Sequence, residues 1–173
     1  MKFLFFVVML TLAVGSLAAD GVRVIGFDFD DTVVFSSPVF DAARGSDNFW
    51  CEVNSHPELA EIKASVSELV WEHLSSGDVV VFITARKDDC FEATQEWVMR
   101  TFGIKIYFTG GSKIDYLVGL DVSVFYGDSD SDITDAQEVD VTAIRVLRSP
   151  LSGYTKKYHP GTFGEKVLPC TED

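Results

Sequence analysis

Residues 22–35, VRVIGFDFDDTVVF, decide the fold. The stretch is mostly apolar up to Asp28, the pattern of a strand covered on both faces, and then turns densely acidic at Asp28, Asp30 and Asp31 before Thr32. Ligands of open α/β sheets bind just beyond the carboxyl ends of the strands, so chemistry is expected here. Asp28 and Asp30 are two apart on an extended end and can share one site, where carboxylates repel unless a cation or proton is shared. A divalent metal is the first inference. The plainer alternative is that Asp30, Asp31 and Thr32 only form a turn or cap a helix.

With 173 residues, 47% hydrophobic and 24% charged, the chain fits one globular domain with a substantial core. Residues 1–18 are expected to stand apart from it. One lysine, an apolar run from Phe3 to Val14 broken at Thr11, and small residues at Ser16 and Ala18 read as a secretory signal cut after Ala18. A retained anchor is the alternative, but the run is short for a span of about 20 residues. No cysteine lies near the cut, so a lipid anchor is not expected, and with the short apolar run removed no stable membrane anchor is expected either. Localisation is then periplasmic or secreted, with residues 19–173 as the mature domain.

The leader carries only Lys2, so cleavage would make the chain one unit more negative than its formal −13. Such a surface repels nucleic-acid polymers and anionic membranes, and a small anionic substrate would need a local positive site. Cys51, Cys90 and Cys170 allow one intramolecular pair and leave one thiol over. No C-x-x-C occurs, which excludes a zinc cluster, and the pairing stays open.

After the first strand, residues 36–56 read as loops around a small helical insert. Ser55, Pro57 and Glu58 then predict a helix carrying Leu59, Ile62, Val66, Leu69, Val70 and Leu74 on one face and ending at Gly77. Strands are expected at 79–83, 104–108, 122–126 and 142–147. Helices are expected at about 89–102, closed by Gly103, from Lys113 to Leu120, and up to about 139. This βαβ alternation predicts a doubly wound parallel sheet, and beyond Arg148 the chain reads as irregular.

Polar residues then follow successive strands: Asp28 and Asp30, Thr84, Lys113, and Asp128 with Asp132. These types suit phosphoryl transfer, which needs a nucleophile, positioning and charge neutralisation. Each has a plainer reading. Thr84 is an ordinary strand-end threonine, Lys113 an exposed helix-start lysine, and Asp128 to Asp132 an N-cap cluster. A calcium loop fails on spacing, because Ile133 stands where the required glycine would be and Val139 where the glutamate would be. His56, His73 and His159 have no ligand spacing.

The set Asp28-Phe29-Asp30-Asp31-Thr32, Thr84, Lys113 and Gly127-Asp128-Ser129-Asp130-Ser131-Asp132 resembles the four signatures of the haloacid dehalogenase superfamily. Phe35-Ser36-Ser37-Pro38, Tyr126-Gly127-Asp128-Ser129-Asp130, Arg145-Val146-Leu147-Arg148 and Phe163-Gly164-Glu165 resemble, more narrowly, the bacterial class B acid phosphatases. The resemblance implies a Rossmann-like, doubly wound α/β core with a small helical cap insert at about 36–56. Those enzymes carry a longer arm before the first strand, which helps them assemble as tetramers, and a larger insert. Only about nine residues would precede Asp28 after cleavage, so the resemblance does not carry the tetramer over, and a homo-oligomer and a monomer both stay open.

By the same resemblance Asp28 would attack phosphorus and form an aspartyl-phosphate. Asp30 would act as acid and then base, with a pKa expected to be raised by its closeness to Asp28. Thr84 and Lys113 would bind the phosphoryl group. Arg86 would contact phosphate or form a structural salt bridge. Mg2+ would be held by Asp28, the backbone carbonyl of Asp30, and Asp128, with Asp132 as ligand or support. Phe40, Trp50 and Tyr154 would line an aromatic pocket for the leaving group; the alternative is that they are buried between insert and core.

The implied function is an exported, Mg2+-dependent acid phosphatase acting on small phosphomonoesters such as nucleotides or aryl and sugar phosphates. A dedicated 5′-nucleotidase or sugar phosphatase is the alternative within the superfamily. A non-catalytic metal- or phosphate-binding protein is the alternative of another class.

Overall fold

The computed structural model describes residues 21–168; the expected leader and Cys170 lie outside them. Chain order begins β1 (Val24–Phe27), β2 (Val34–Phe35), α1 (Ser37–Ala42), α2 (Phe49–Ser55), a 3-10 turn at Pro57–Leu59, β3 (Glu61–Ile62) and α3 (Ala64–Ser75). It continues β4 (Val79–Thr84), α4 (Glu92–Phe102), β5 (Lys105–Phe108), α5 (Ile114–Gly119), β6 (Val122–Gly127), α6 (Asp130–Glu138), β7 (Thr142–Val146) and β8 (Lys166–Leu168).

Six strands form one sheet in the order β5-β4-β1-β6-β7-β8, and every pairing is parallel. A parallel sheet is stable only when both faces are covered, and alternate side chains of each strand serve the two faces. Ile25, Phe27, Phe82 and Ile106 pack with Val66 and Val70 of α3 and with Val98 and Phe102 of α4. Val81, Ile83, Phe125 and Ala143 pack on the other side with Leu117 of α5 and with Ile133 and Ala136 of α6. Gly26 is required where the strands meet, because a Cβ there would stand 2.7 Å from the Phe125 ring. The doubly wound sheet is therefore as expected, with the first strand at its centre and its acidic end between β4 and β6.

Two expectations change. The predicted helix start at Ser55 to Glu58 makes only a single 3-10 turn, and the continuous helix begins at Ala64. Leu59 and Ile62, counted to its buried face, are each 41% exposed, so they offer a helix little to bury. Glu61–Ile62 instead pairs antiparallel with Val34–Phe35. The buried Lys63 Nζ donates to the carbonyls of Asp31 (3.1 Å) and Leu147 (2.8 Å) and so fixes the helix start against the segments that follow β1 and β7. The tail expected to be irregular also adds a sixth strand, β8. Its lead-in residue Glu165 receives Arg145 Nε at 3.0 Å, which docks it beside β7.

The open cysteine pairing resolves to Cys51–Cys90, which ties α2 to the β4–α4 loop across a sequence separation of 39. No helix of the described residues is long and apolar enough to cross a membrane. Closing a loop of that length stabilises a chain by about 2–4 kcal/mol, mainly by restricting the unfolded state. Denaturant titration of the Cys51→Ser/Cys90→Ser variant should show a loss of that size with an unchanged circular dichroism spectrum. An unfolding free energy equal to wild type would contradict the assignment.

Candidate active site

Four strand ends and the loops after them converge on one pocket. Asp28 follows β1 and is 4% exposed; Thr84, the last residue of β4, is fully buried; Asp128 follows β6 and is 3% exposed. Lys113, expected on an exposed helix start under its plainer reading, is instead buried at the N-cap of α5. Its Nζ donates to Asp28 Oδ1 at 2.5 Å and also to Asp132 Oδ1. Thr32 Oγ1 lies 3.0 Å from both Asp28 Oδ2 and Asp128 Oδ1, so this small hydroxyl bridges two carboxylates.

Asp132 is presented by local chemistry. Ser129 caps α6 by accepting the Asp132 N–H, and Asp132 Oδ2 returns the bond by accepting the Ser129 N–H at 3.0 Å. Its other oxygen then faces Lys113. Gly127 makes this approach possible, because a Cβ there would stand 2.3 Å from Asp132 Cβ.

Asp28, Asp128 and Asp132 each bring a carboxylate oxygen within 4.8 Å of the others, and all three are buried. Burial pushes Asp28 well above the usual carboxylate range against the pull of Lys113, with added repulsion from Asp132, Asp128 and Asp30. Burial and Asp132 likewise push Asp128 up to about 6, against the pull of Arg148. Burial works against the Lys113 charge, but Asp132 and Asp28 more than offset it and hold the ammonium firmly protonated. Crowded hard oxygen donors whose ionisation is costly are what a divalent cation such as Mg2+ relieves, so the residues fit that ion.

The Asp30 carboxylate stands outside this cluster. Arg86 grips it with Nε at 2.9 Å and Nη2 at 2.6 Å, Ser36 Oγ donates at 2.6 Å and Thr84 Oγ1 at 3.2 Å. Burial raises its pKa, yet the Arg86 charge and these hydrogen bonds prevail and hold it below the usual range. The expected elevation by Asp28 is thus corrected: a fully buried guanidinium reaches Asp30 and outweighs the neighbouring carboxylate. The salt-bridge reading of Arg86 is met by Asp30, and the same side chain lines the pocket.

The pocket holds about 550 Å³ and is walled by Phe40, Phe49, Trp50 and Tyr154. The Phe40 and Trp50 rings meet edge to face at 6.3 Å, and Phe49 stands 5.1 Å from Trp50. Tyr154 is 46% exposed and lies on the loop after β7, where the adjoining Gly153 N–H donates to Ser37 Oγ of α1 at 3.0 Å. Sequence reasoning missed several residues that matter. Arg148 donates from Nε to Asp128 and from Nη1 to the carbonyls of Tyr154 (2.7 Å) and Lys156 (3.1 Å), while Arg145 Nη1 holds the Asp128 carbonyl at 2.6 Å. The signal was present: two arginines in Arg145-Val146-Leu147-Arg148 at the end of a buried strand need buried acceptors, and the acidic strand ends supply them.

No protein-family model matches the chain. It is 32% identical to a class B acid phosphatase of Marinomonas sp. (strain MWYL1), covering 83% of this chain and 70% of that one. It is 34% identical to a class B acid phosphatase of Rahnella sp. (strain Y9602), covering 86% and 72%. Among solved structures, CbbY from Rhodobacter sphaeroides aligns with a TM-score of 0.64 at 13% identity, over 86% of this chain and 94% of that one. A haloacid dehalogenase-like family hydrolase from Xanthomonas campestris aligns with a TM-score of 0.54 at 16% identity, over 87% and 91%. At those identities the structures establish a shared fold.

The close approach at Gly127 makes a direct test of the carboxylate cluster. Gly127→Ala should displace Asp132 from the Ser129 N–H and from Lys113 and lower stability by about 1–3 kcal/mol, the usual cost of overpacking a filled site. Denaturant titration would measure it, and a stability equal to wild type would contradict the geometry.

Proposed function

The chain belongs to the class B acid phosphatase family, a branch of the haloacid dehalogenase superfamily, and from that premise we propose an exported, Mg2+-dependent phosphomonoesterase working through an aspartyl-phosphate on Asp28. The observation that carries the reading is the contact of one buried ammonium, Lys113, with both Asp28 and Asp132 beside Asp128. That arrangement puts a carboxylate nucleophile, a fixed cation and a set of hard oxygen donors in one place.

Asp28, Asp128 and Asp132, with the backbone carbonyl of Asp30, would hold the Mg2+, which when bound would offset charge on the transferring phosphoryl group. Asp28 forms the new bond to phosphorus through one oxygen of a carboxylate whose orientation is already fixed, by Lys113 at Oδ1 and by Thr32 at Oδ2. The ester bond to the leaving oxygen breaks, and Asp30 supplies the proton that oxygen needs. Asp30 then takes a proton from the water that attacks the aspartyl-phosphate, releasing inorganic phosphate and restoring Asp28.

The low pKa of Asp30 sets a condition on this cycle. With Arg86 fully engaged, Asp30 stays ionised and is a poor acid. A phosphate oxygen that draws Arg86 and the Thr84 hydroxyl toward itself removes the interactions that keep Asp30 low. Substrate binding then prepares the acid, and Arg86 serves in turn as salt-bridge partner and phosphate ligand.

Outside the phosphate position, the aromatic walls favour ester groups with a ring, so aryl and nucleoside monophosphates are the preferred substrates within a broad range. The disulfide supports export, since such bonds persist in oxidising compartments.

Hydrolysis of p-nitrophenyl phosphate should be lost with EDTA and restored by Mg2+. Saturation at a hundred times the dissociation constant should stabilise the fold by about 2.7 kcal/mol. Activity and melting that both ignore the chelator would remove the metal from the scheme. Asp28→Asn should reduce turnover to background in a folded protein. Asp30→Asn should slow alkyl phosphates by roughly 10²–10⁴-fold but p-nitrophenyl phosphate much less, because an activated leaving group needs little protonation. Equal losses on both esters would contradict the acid role.

A further inference from the structure

The phosphoryl-transfer machinery stands on the sheet, but the leaving-group wall does not. Phe40 belongs to α1, a helix of 6 residues, and Phe49 and Trp50 to α2, a helix of 7. Helices this short do not hold themselves in water, so the wall takes its position from whatever anchors α2. That anchor is the β4–α4 loop, which begins where Thr84 and Arg86 meet Asp30.

The junction is built from both sides. The fully buried Asn54 of α2 donates from Nδ2 to the carbonyls of Lys87 (2.9 Å) and Asp89 (2.7 Å), and Thr94 Oγ1 donates back to the Asn54 carbonyl at 2.8 Å. Cys51, next to Trp50, is bonded to Cys90 of the same loop. Cys90 holds a φ of 52, a left-handed conformation that residues other than glycine adopt at a cost and keep only when their surroundings impose it. The covalent link is thus one residue from the pocket wall and four from Arg86, and Cys90 is exposed to solvent.

We propose that the Cys51–Cys90 disulfide is the positioning element of the aromatic wall. It sets affinity for the ring of the leaving group and leaves the nucleophile and the carboxylate cluster in place. Asp28, Asp128, Asp132 and Lys113 make none of their contacts through α2; Arg86 touches it from Nη1 to Asn54 Oδ1 at 3.4 Å, but its bidentate hold on Asp30 is made without α2. The wall is completed only in an oxidising environment. The substrate readout below rests on the phosphatase reading; the exchange readout does not.

The test compares the oxidised protein, the protein treated with dithiothreitol, and Cys51→Ser/Cys90→Ser, all with Mg2+. Dithiothreitol passes two electrons and two protons to the disulfide, yielding two thiols and its own cyclic disulfide. In both altered forms KM for p-nitrophenyl phosphate should rise about two- to tenfold, the range spanned by loss of one aromatic contact. The kcat and the inhibition constant of inorganic phosphate should stay as they were, and amide hydrogen exchange over residues 49–55 should accelerate. An unchanged KM with the thiols confirmed free, or an equal rise in KM and in the phosphate inhibition constant, would overturn the proposal. Should the oxidised protein hydrolyse no phosphomonoester, the phosphatase reading fails by itself. Exchange over residues 49–55 then decides the tether, faster exchange upholding it and unchanged exchange refuting it.

Discussion

Three carboxylates with oxygens inside 4.8 Å of one another, all nearly sealed from water, form the constraint on which the rest of the structure depends. At about 4 Å and an effective dielectric near 20, each charged pair would repel by about 4 kcal/mol. The fold answers with buried cations: Lys113 between Asp28 and Asp132, and Arg148 on Asp128. It answers as well with backbone and hydroxyl donors, from the Ser129 N–H to Asp132 and from Thr32 to Asp28 and Asp128. Such an arrangement costs stability unless every charge has its partner, so it is better understood as a site than as a support.

The same need for balance explains the tail. Arg145 and Arg148 leave the end of β7 toward the acidic loop after β6, and each gathers part of the chain that follows. Arg145 binds Glu165, which accepts the N–H groups of Gly161 and Phe163, and Arg148 binds the carbonyls of Tyr154 and Lys156. A segment of little regular structure is thereby folded over the site and brings Tyr154 to the pocket. Two segments of different origin thus wall the pocket, the insert held by a disulfide and the tail by arginines, and they touch where the Gly153 N–H donates to Ser37 Oγ.

The sheet was legible because its strands are apolar runs that stop at charged or hydroxyl residues, as at Phe27-Asp28 and Ile83-Thr84. Asp28, Asp128 and Thr84 could be placed because position at a strand end fixes where a side chain points. The false helix start at Ser55 to Glu58 carried real start signals, but the buried charge of Lys63 and the pairing of Ile62 with Val34 overrode them. Strand β8 was hidden because its three residues dock through Arg145 and Glu165, an interaction between segments that no local pattern reveals. The state of Asp30 was hidden for the same reason: closeness to Asp28 is written in the sequence, and the bidentate hold of Arg86 is not.

The central claim is that Asp28 itself carries the phosphoryl group during turnover. Rapid quenching of the Mg2+-loaded protein during hydrolysis of a phosphomonoester, followed by borohydride reduction, converts an aspartyl-phosphate to homoserine that peptide mass analysis can locate. Homoserine at Asp28, absent when substrate is omitted, is the expected result. Homoserine at Asp30 or Asp128, or none at any time point while phosphate is being released, would contradict the account.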